Sequence, residues 1–221
     1  MMPLDCAGFA FDGADQALEA GSQRLRHAKL KRVLDVFGAA FGLVLLAPFL
    51  VLVGVIIRLD SRGPAIFRQW RSGLDGVPFR IYKFRTMRCL EDGAEVVQAR
   101  RADERKTRVG TFLRRTSIDE LPNLLNVLKG EMSLVGPRPH ALAHDDYYGT
   151  VIAGYSLRYM TRPGLTGLAQ VEGLRGDTSD VASMAARVSR DIEYIRRWSF
   201  MLDVKLLFCT VVAGPSHPAA H

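Results

Sequence analysis

The chain has 221 residues, enough for one domain of ordinary size plus an appendage. Hydrophobic residues make up 48% and charged residues 24%, so the apolar residues must be concentrated in particular segments. The net charge of +7 and pI near 9.6 suit an anionic partner such as nucleic acid, a phosphorylated substrate or acidic lipid; Cys6, Cys89 and Cys209 match no metal or disulfide spacing and point to a reducing compartment.

Residues 1–26 show no sustained periodicity and read as a flexible tail, with at most a short helix near residues 14–20. No basic stretch leads into an apolar core near the start, so no secretory signal is recognised. Arg24, Arg26, Lys29, Lys31 and Arg32 then precede residues 36–57, a run of 22 residues without charge. As a helix it would extend about 33 Å, enough for a bilayer core. Pro48 lies near its middle, and the flank beyond it is also basic, with Arg58, Arg62, Arg68 and Arg71. A spanning helix puts one basic flank on the wrong side. A re-entrant helix over residues 27–60, broken at Pro48, leaves both flanks on one face and is the preferred reading. Asp35 reads as a partner for Arg32.

Residues 61–213 follow as the membrane-associated domain, and residues 214–221 as a tail. Asp75-Gly76 marks a hairpin turn between two strand-like stretches. In the second, Phe79, Ile81, Lys83 and Arg85 share a face by period two. Lys83 and Arg85 are candidates for phosphate contact, whereas most arginines of residues 58–88 suit lipid headgroups. Residues 91–106 carry mixed charge and read as an exposed helix or loop. Leu121, Leu124, Leu125 and Leu128 form one face of a helix that stops at Gly130. Ser117 and Glu120 read as a capping box at its start. That places Asp119 and Glu120 in a first turn, which is either an ordinary acidic helix start or a reactive carboxylate beside a metal-binding one.

Pro137 and Pro139 bracket Arg138 and stiffen the loop that carries it, a geometry suited to bidentate phosphate recognition. His140 and His144 have a spacing that can hold zinc, but no third ligand follows convincingly. Residues 147–159 read as a helix with aromatic contacts and residues 161–171 as a turn with a short extended piece. Residues 181–198 are helical, with Val181, Met184, Ala185, Val188, Ile192 and Ile195 on the apolar face. Residues 198–213 read as an interfacial or a buried helix. The fold class is mainly α with a small β-hairpin element.

Several motifs stand in one order. Lys31-Arg32-x-x-Asp35 precedes the Pro-interrupted run, followed by Tyr-Lys-Phe-Arg-Thr-Met (82–87) and Arg-Arg-Thr-Ser-Ile-Asp-Glu-Leu-Pro-Asn (114–123). Leu-Val-Gly-Pro-Arg-Pro (134–139), Arg-Pro-Gly-Leu-Thr-Gly-Leu-Ala-Gln-Val (162–171) and Asp-Ile-Glu-Tyr-Ile-Arg-Arg-Trp-Ser (191–199) complete the set. From about residue 27 to 212 this order resembles the bacterial sugar transferase family, the monotopic polyprenyl-phosphate phosphoglycosyl transferases. The resemblance implies transfer of a sugar 1-phosphate from a UDP-sugar to undecaprenyl phosphate, releasing UMP, at the cytoplasmic face of the bacterial inner membrane. It implies Asp119 as nucleophile, Glu120 as the residue associated with Mg²⁺, and Asp191 as a further functional acidic position, counted with the substrate-binding residues; the basic Lys83, Arg138 and Arg162 suit the diphosphate and the lipid phosphate.

The stretches 137–144 and 175–178 look most like members that transfer glucose 1-phosphate for exopolysaccharide, with UDP-galactose the next candidate donor. Inner-membrane phospholipid is an expected partner and a homo-oligomer a possible state. Larger members carry additional N-terminal spanning helices, so the chain reads as the catalytic module. Leu168 and Leu174 replace frequent tryptophans, and Ala47 replaces a frequent serine before Pro48. A non-catalytic, membrane-anchored basic scaffold is the rival class. Nucleic acid is not expected, because aromatic residues do not interleave with the basic ones as a stacking platform requires.

Overall fold

The computed structural model describes residues 12–88, 103–174, 176 and 180–213. The charged stretch at 91–102, most of 175–178, Cys6, Cys89 and the tail from 214 lie outside the described residues. Among those described there are eight α-helices and two small sheets. Helices α1 (Asp12–Arg26) and α2 (Lys29–Asp60) lead into an antiparallel hairpin, β1 (Ile66–Ser72) with β2 (Pro78–Phe84). After α3 (Arg108–Arg115), a 3-10 helix (Ile118–Asn123) runs into α4 (Leu124–Lys129). Strand β3 (Ser133–Val135), α5 (Leu142–Val151), a 3-10 helix (Tyr155–Met160) and β4 (Gly164–Thr166) follow. Helices α6 (Leu168–Val171), α7 (Val181–Arg197) and α8 (Phe200–Ala213) complete the chain.

Among the described residues α2 is the one helix long and apolar enough to cross a membrane. At about 1.5 Å per residue its 32 residues extend about 48 Å. The helix continues through Pro48, where a break was expected. Proline removes one donor and crowds one turn, and the remaining ladder keeps the segment helical. One stripe of α2 is covered by the rest of the molecule toward each end, and no residue from 40 to 52 is buried. Lys31, Asp35 and Ala39 are buried toward its start, and Val53 and Ile57 toward its end. The opposite face is bare: Phe37, Phe41, Val44, Leu45 and Val51 are 64–77% exposed. Leaving such side chains in water forfeits about 1.5–3 kcal/mol each, so this face calls for an apolar surrounding.

Both ends of α2 are tied to the same body. Near the start, Arg32 donates to the carbonyls of Val127 (2.7 Å) and Leu128 (2.8 Å), at the end of α4. Near the end, Arg85 donates to the carbonyls of Ile57 (3.3 Å) and Arg62 (2.7 Å). Arg85 therefore caps the C-terminus of α2, which corrects its reading as a phosphate ligand. Asp35 is likewise not the partner of Arg32. It accepts from the amide of Leu134 (2.8 Å) and the hydroxyl of Ser133 (3.0 Å), docking β3 onto α2.

Residues 12–26, read as part of a tail, form a helix, and residues 1–11 lie outside the described residues. Helix α1 buries Leu18 and Leu25 in the main core and lies across α7. Gly21 makes that crossing possible, because a Cβ there would stand 2.1 Å from the Ile195 carbonyl oxygen. The main core further gathers Phe79 and Ile81 from β2, Val127 from α4, Val135 from β3 and Tyr194 and Ile195 from α7. Helix α7 starts where Asp180 accepts from the amide of Ser183 at 2.7 Å. It buries Met184, Val188 and Ile195, the face its periodicity gives. Helix α8 has a buried side, Asp203 and Leu206, and a bare apolar side with Met201, Phe208 and Val211. A second, parallel sheet pairs Ser133 with Gly164 and Val135 with Thr166. The short run 164–166 gives no alternation by which to foresee it.

Candidate active site

The Asp119–Glu120 pair sits on the 3-10 helix Ile118–Asn123, not in the first turn of an α-helix. The capping box does not form: Ser117 makes no side-chain cap bond, and its φ is +55°. That left-handed turn is unusual for a residue with a side chain. In the turn that follows, Asp119 is buried and Glu120 half-buried. Glu120, freed from capping, reaches across to other elements. The local side-chain cap is at Thr107, which accepts from the Gly110 amide at 2.9 Å and starts α3.

Strand β2 is fastened to this segment by two asparagines. Asn123 and Asn126 both accept from the Tyr82 amide at 3.1 Å, and Asn126 also donates to the Arg80 carbonyl at 2.7 Å. Lys83, the next residue, is thereby fixed against Glu120, and its Nζ lies 2.8 Å from Oε1. From the other side Arg138 grips both Glu120 oxygens, Nη1 to Oε2 at 3.0 Å and Nη2 to Oε1 at 2.5 Å. This is the fork geometry of a bidentate guanidinium–carboxylate pair.

The loop carrying Arg138 is held at each carbonyl. Pro137 accepts from the Gly164 amide (2.8 Å), Arg138 from Nη2 of Arg158, and Pro139 from Nη1 of Arg71 (3.4 Å). The strands beside it approach so closely that a Cβ on Gly164 would lie 2.0 Å from the Gly136 nitrogen. Only glycines fit this crossing.

The electrostatics separate the two carboxylates. Burial, and then the negative Glu120, push Asp119 up to about 6. Burial also works against the charge on Glu120, but the Arg138 and Lys83 cations outweigh it and hold Glu120 well below the usual carboxylate range. Lys83 is lowered by burial, with Glu120 opposing. Among the described residues no hydrogen bond or ion pair engages the Asp119 carboxylate, which is 7% exposed. A carboxylate left free in a cationic setting can attack an electrophile whose negative charge the cations neutralise. Pairs of titratable groups pushed apart in this way mark functional sites.

Asp119, Glu120, Lys83 and Arg138 are thus brought together. Arg162 and Asp191 make no hydrogen bond or ion pair with these four, although Asp191 and Arg138 feel each other's charge. Arg162 donates from Nε to the Gly130 carbonyl (2.8 Å), bracing the end of α4. Asp191 is buried behind the site and accepts from Arg158 Nη2 at 2.8 Å. His140 faces Tyr155 and Arg158 with Nδ1, each at 2.7 Å. Burial, then Arg158, keep its ring neutral. The sequence reading missed Arg158, Asn123 and Asn126. None belongs to a periodic pattern, and the partners through which they fasten the site lie 20 to 46 residues away. The one sequence signal is that Asn123 closes the Asp-Glu-Leu-Pro-Asn run.

The sequence matches the profile of the bacterial sugar transferase family over residues 26–215. It is 60% identical over 181 residues to a UDP-glucose:undecaprenyl-phosphate glucose-1-phosphate transferase of Caulobacter vibrioides, covering 82% of this chain and 68% of that protein. A protein of the same description from Escherichia coli is 49% identical over 192 residues, covering 87% of this chain and 41% of that protein. An exopolysaccharide production protein of Rhizobium leguminosarum bv. phaseoli is 46% identical over 188 residues, 83% of this chain and 94% of that protein. The chain therefore spans about two fifths of its Escherichia coli relative and nearly the whole of the Rhizobium one.

Proposed function

Because the chain belongs to the bacterial sugar transferase family, we propose that it transfers glucose 1-phosphate from UDP-glucose to undecaprenyl phosphate, releasing UMP. The donor follows the names of the relatives that are 60% and 49% identical. The observation that carries the chemistry is the free, buried Asp119 carboxylate beside a Glu120 held between Lys83 and Arg138.

An Asp119 oxygen attacks the sugar-bearing phosphorus of UDP-glucose. The new O–P bond forms as the phosphoanhydride bond to UMP breaks, and UMP departs with that electron pair. A phosphate oxygen of the lipid then attacks the same phosphorus, and Asp119 leaves as a carboxylate. Lys83 and Arg138 exchange Glu120 for the phosphate oxygens when the donor arrives. Both cations are part-exposed, with side chains 18% and 29% accessible, so a ligand can reach them. The adjacent carboxylates are hard oxygen donors, and they fit Mg²⁺, which takes one or two carboxylates plus substrate phosphates. Glu120 would hold that ion. When bound it neutralises the diphosphate.

We further place the protein at the cytoplasmic face of the bacterial inner membrane, with α2 re-entrant through a bend at Pro48 and not through a break of its helical ladder. Two observations support this. The bare side of α2 is apolar throughout its middle. Arg32 near one end and Arg85 at the other bind one and the same body, which cannot stand on both sides of a bilayer. The glycan served is an exopolysaccharide, in line with the Rhizobium relative's description.

The test is a donor panel with Mg²⁺ and undecaprenyl phosphate, scoring UMP release and glucose phosphate on lipid. UDP-glucose is expected to turn over fastest, ahead of UDP-galactose. Folded protein that releases no UMP with any donor would make this a scaffold. UMP release with water-soluble sugar phosphate would make it a hydrolase. Cysteine labelling of positions 27 and 62 should report one side; opposite sides refute re-entry.

A further inference from the structure

The loop Pro137-Arg138-Pro139 is stiff by composition, yet two prolines fix only backbone torsions, not where the loop sits. Its place is set from behind by one guanidinium. Arg158, whose side chain is 2% accessible, spends Nη2 on the carbonyl of Arg138 and on Asp191 Oδ2, 2.8 Å away. Its Nη1 reaches His140 Nδ1 at 2.7 Å and the Tyr155 hydroxyl at 3.2 Å. Tyr155 in turn donates to Asp145 Oδ1 at 2.6 Å. A single side chain therefore holds both the residue that grips Glu120 and the residue two positions on. Its own charge is balanced by Asp191 from α7, whose side chain is also 2% accessible.

We propose that Arg158 is a positioning residue for phosphate recognition. Anchored by Asp191, it fixes the backbone of Arg138, so that the Arg138 guanidinium can pass from Glu120 to a phosphate without its loop moving. The chemistry asks for this. A guanidinium that swaps partners gains most when only its side chain has to reorganise, because backbone ordering on binding costs affinity. The planar fork of Arg158 is also what the site needs. A lysine could keep the ion pair with Asp191, but a point charge on a flexible stem cannot hold Asp191, the Arg138 carbonyl and His140 in one fixed plane. Asp191 thus acts through Arg158 and not on the substrate, which accounts for its burial behind the site.

The inference rests on the reading that Arg138 faces a phosphate, and a double-mutant cycle tests the two separately. UDP is the probe, because it binds without turning over, and its Kd is measured by calorimetry on the full chain in nanodiscs. Arg138→Ala is expected to weaken UDP about tenfold or more. Unchanged affinity in that variant refutes the phosphate role of Arg138 itself. Arg158→Lys is expected to weaken UDP about fivefold in the wild-type background and to have almost no effect in the Arg138→Ala background. Equal losses in both backgrounds, or none in either, overturn the proposal. If Arg158→Lys does not give a cooperative melt, Asp191→Asn carries the same cycle, with a loss of about threefold that also vanishes without Arg138. A loss with Asp191→Asn that persists in the Arg138→Ala background would instead make Asp191 a direct ligand.

Discussion

Two carboxylate–cation clusters in this molecule look alike on paper and differ in their surroundings. At Glu120, the carboxylate is 15% accessible and its cations Lys83 and Arg138 are 18% and 29% accessible. At Asp203, on α8, the carboxylate is 1% accessible and Lys31 of α2 is 8%. Lys31 donates to Asp203 Oδ2 and to the Val135 carbonyl, each at 2.8 Å. Tyr194 donates to Asp203 Oδ1 at 2.7 Å and Trp198 to Oδ2 at 3.1 Å. Every oxygen of the second cluster is spoken for by protein, and it ties α2, β3, α7 and α8 together. The first cluster opens toward a free carboxylate and can trade partners with a ligand. Accessibility and spare hydrogen-bonding capacity, not the presence of an ion pair, separate a site from a fastening.

The same substitution should therefore read out in opposite ways. Asp119→Asn is expected to lower lipid transfer by more than about 10³-fold and to abolish the covalent sugar-phosphate adduct seen by mass spectrometry. Its melting temperature should stay level or rise, because a desolvated carboxylate is replaced by a neutral amide. Adduct formation at wild-type level would move the nucleophile elsewhere. Asp203→Asn leaves the Lys31 charge buried with a weaker partner. It is expected to lower unfolding stability by about 3–5 kcal/mol, measured by denaturant titration in detergent, while the folded fraction keeps its turnover per molecule. A melt unchanged from wild type would erase the distinction between the clusters.

Acidity sharpens it further. Asp119 must be ionised to attack, and its carboxyl stands near pH 6. Adduct formation measured in a single turnover should be level above that pH and fall about tenfold per unit below it. A limb near pH 4 would mean that Asp119 is not desolvated. The smallest effect is expected at the exposed pair Arg26–Asp75, with side chains 38% and 54% accessible. Asp75→Ala should change stability by no more than about 1 kcal/mol and leave turnover alone. A larger loss would show that the contact between α1 and the hairpin tip is structural.

Some of this was legible before the chain was folded. The uncharged run of α2, the hairpin around Asp75-Gly76, the Gly130 stop of α4 and the apolar face of α7 are periodic or punctuated patterns, which neighbouring residues dictate. Other assignments failed because the competing interaction was remote. Ser117 and Glu120 spell a capping box, but Glu120 finds Lys83, 37 residues away, and Arg138, 18 residues away. Two charge-assisted contacts outweigh one local cap. Asp35 has Arg32 three residues before it, yet backbone donors of β3 claim it. Residues 12–26 look featureless because the partner of α1 is α7, at the far end of the chain.

The sequence by itself determined that the chain has a long uncharged helix, a basic domain and an adjacent carboxylate pair, and the order of its motifs determined the family. Local periodicity and charge are properties of short stretches, so one strand of text suffices to read them. Only the tertiary structure decided which carboxylate stays free and which cations surround it. It also decided that Arg162 bonds to the Gly130 carbonyl, that Asp191 pairs with Arg158, and that Arg158 holds the Arg138 carbonyl. Those outcomes depend on where remote segments meet after burial, because desolvation and ion pairing are set by the whole surrounding and not by neighbours in sequence.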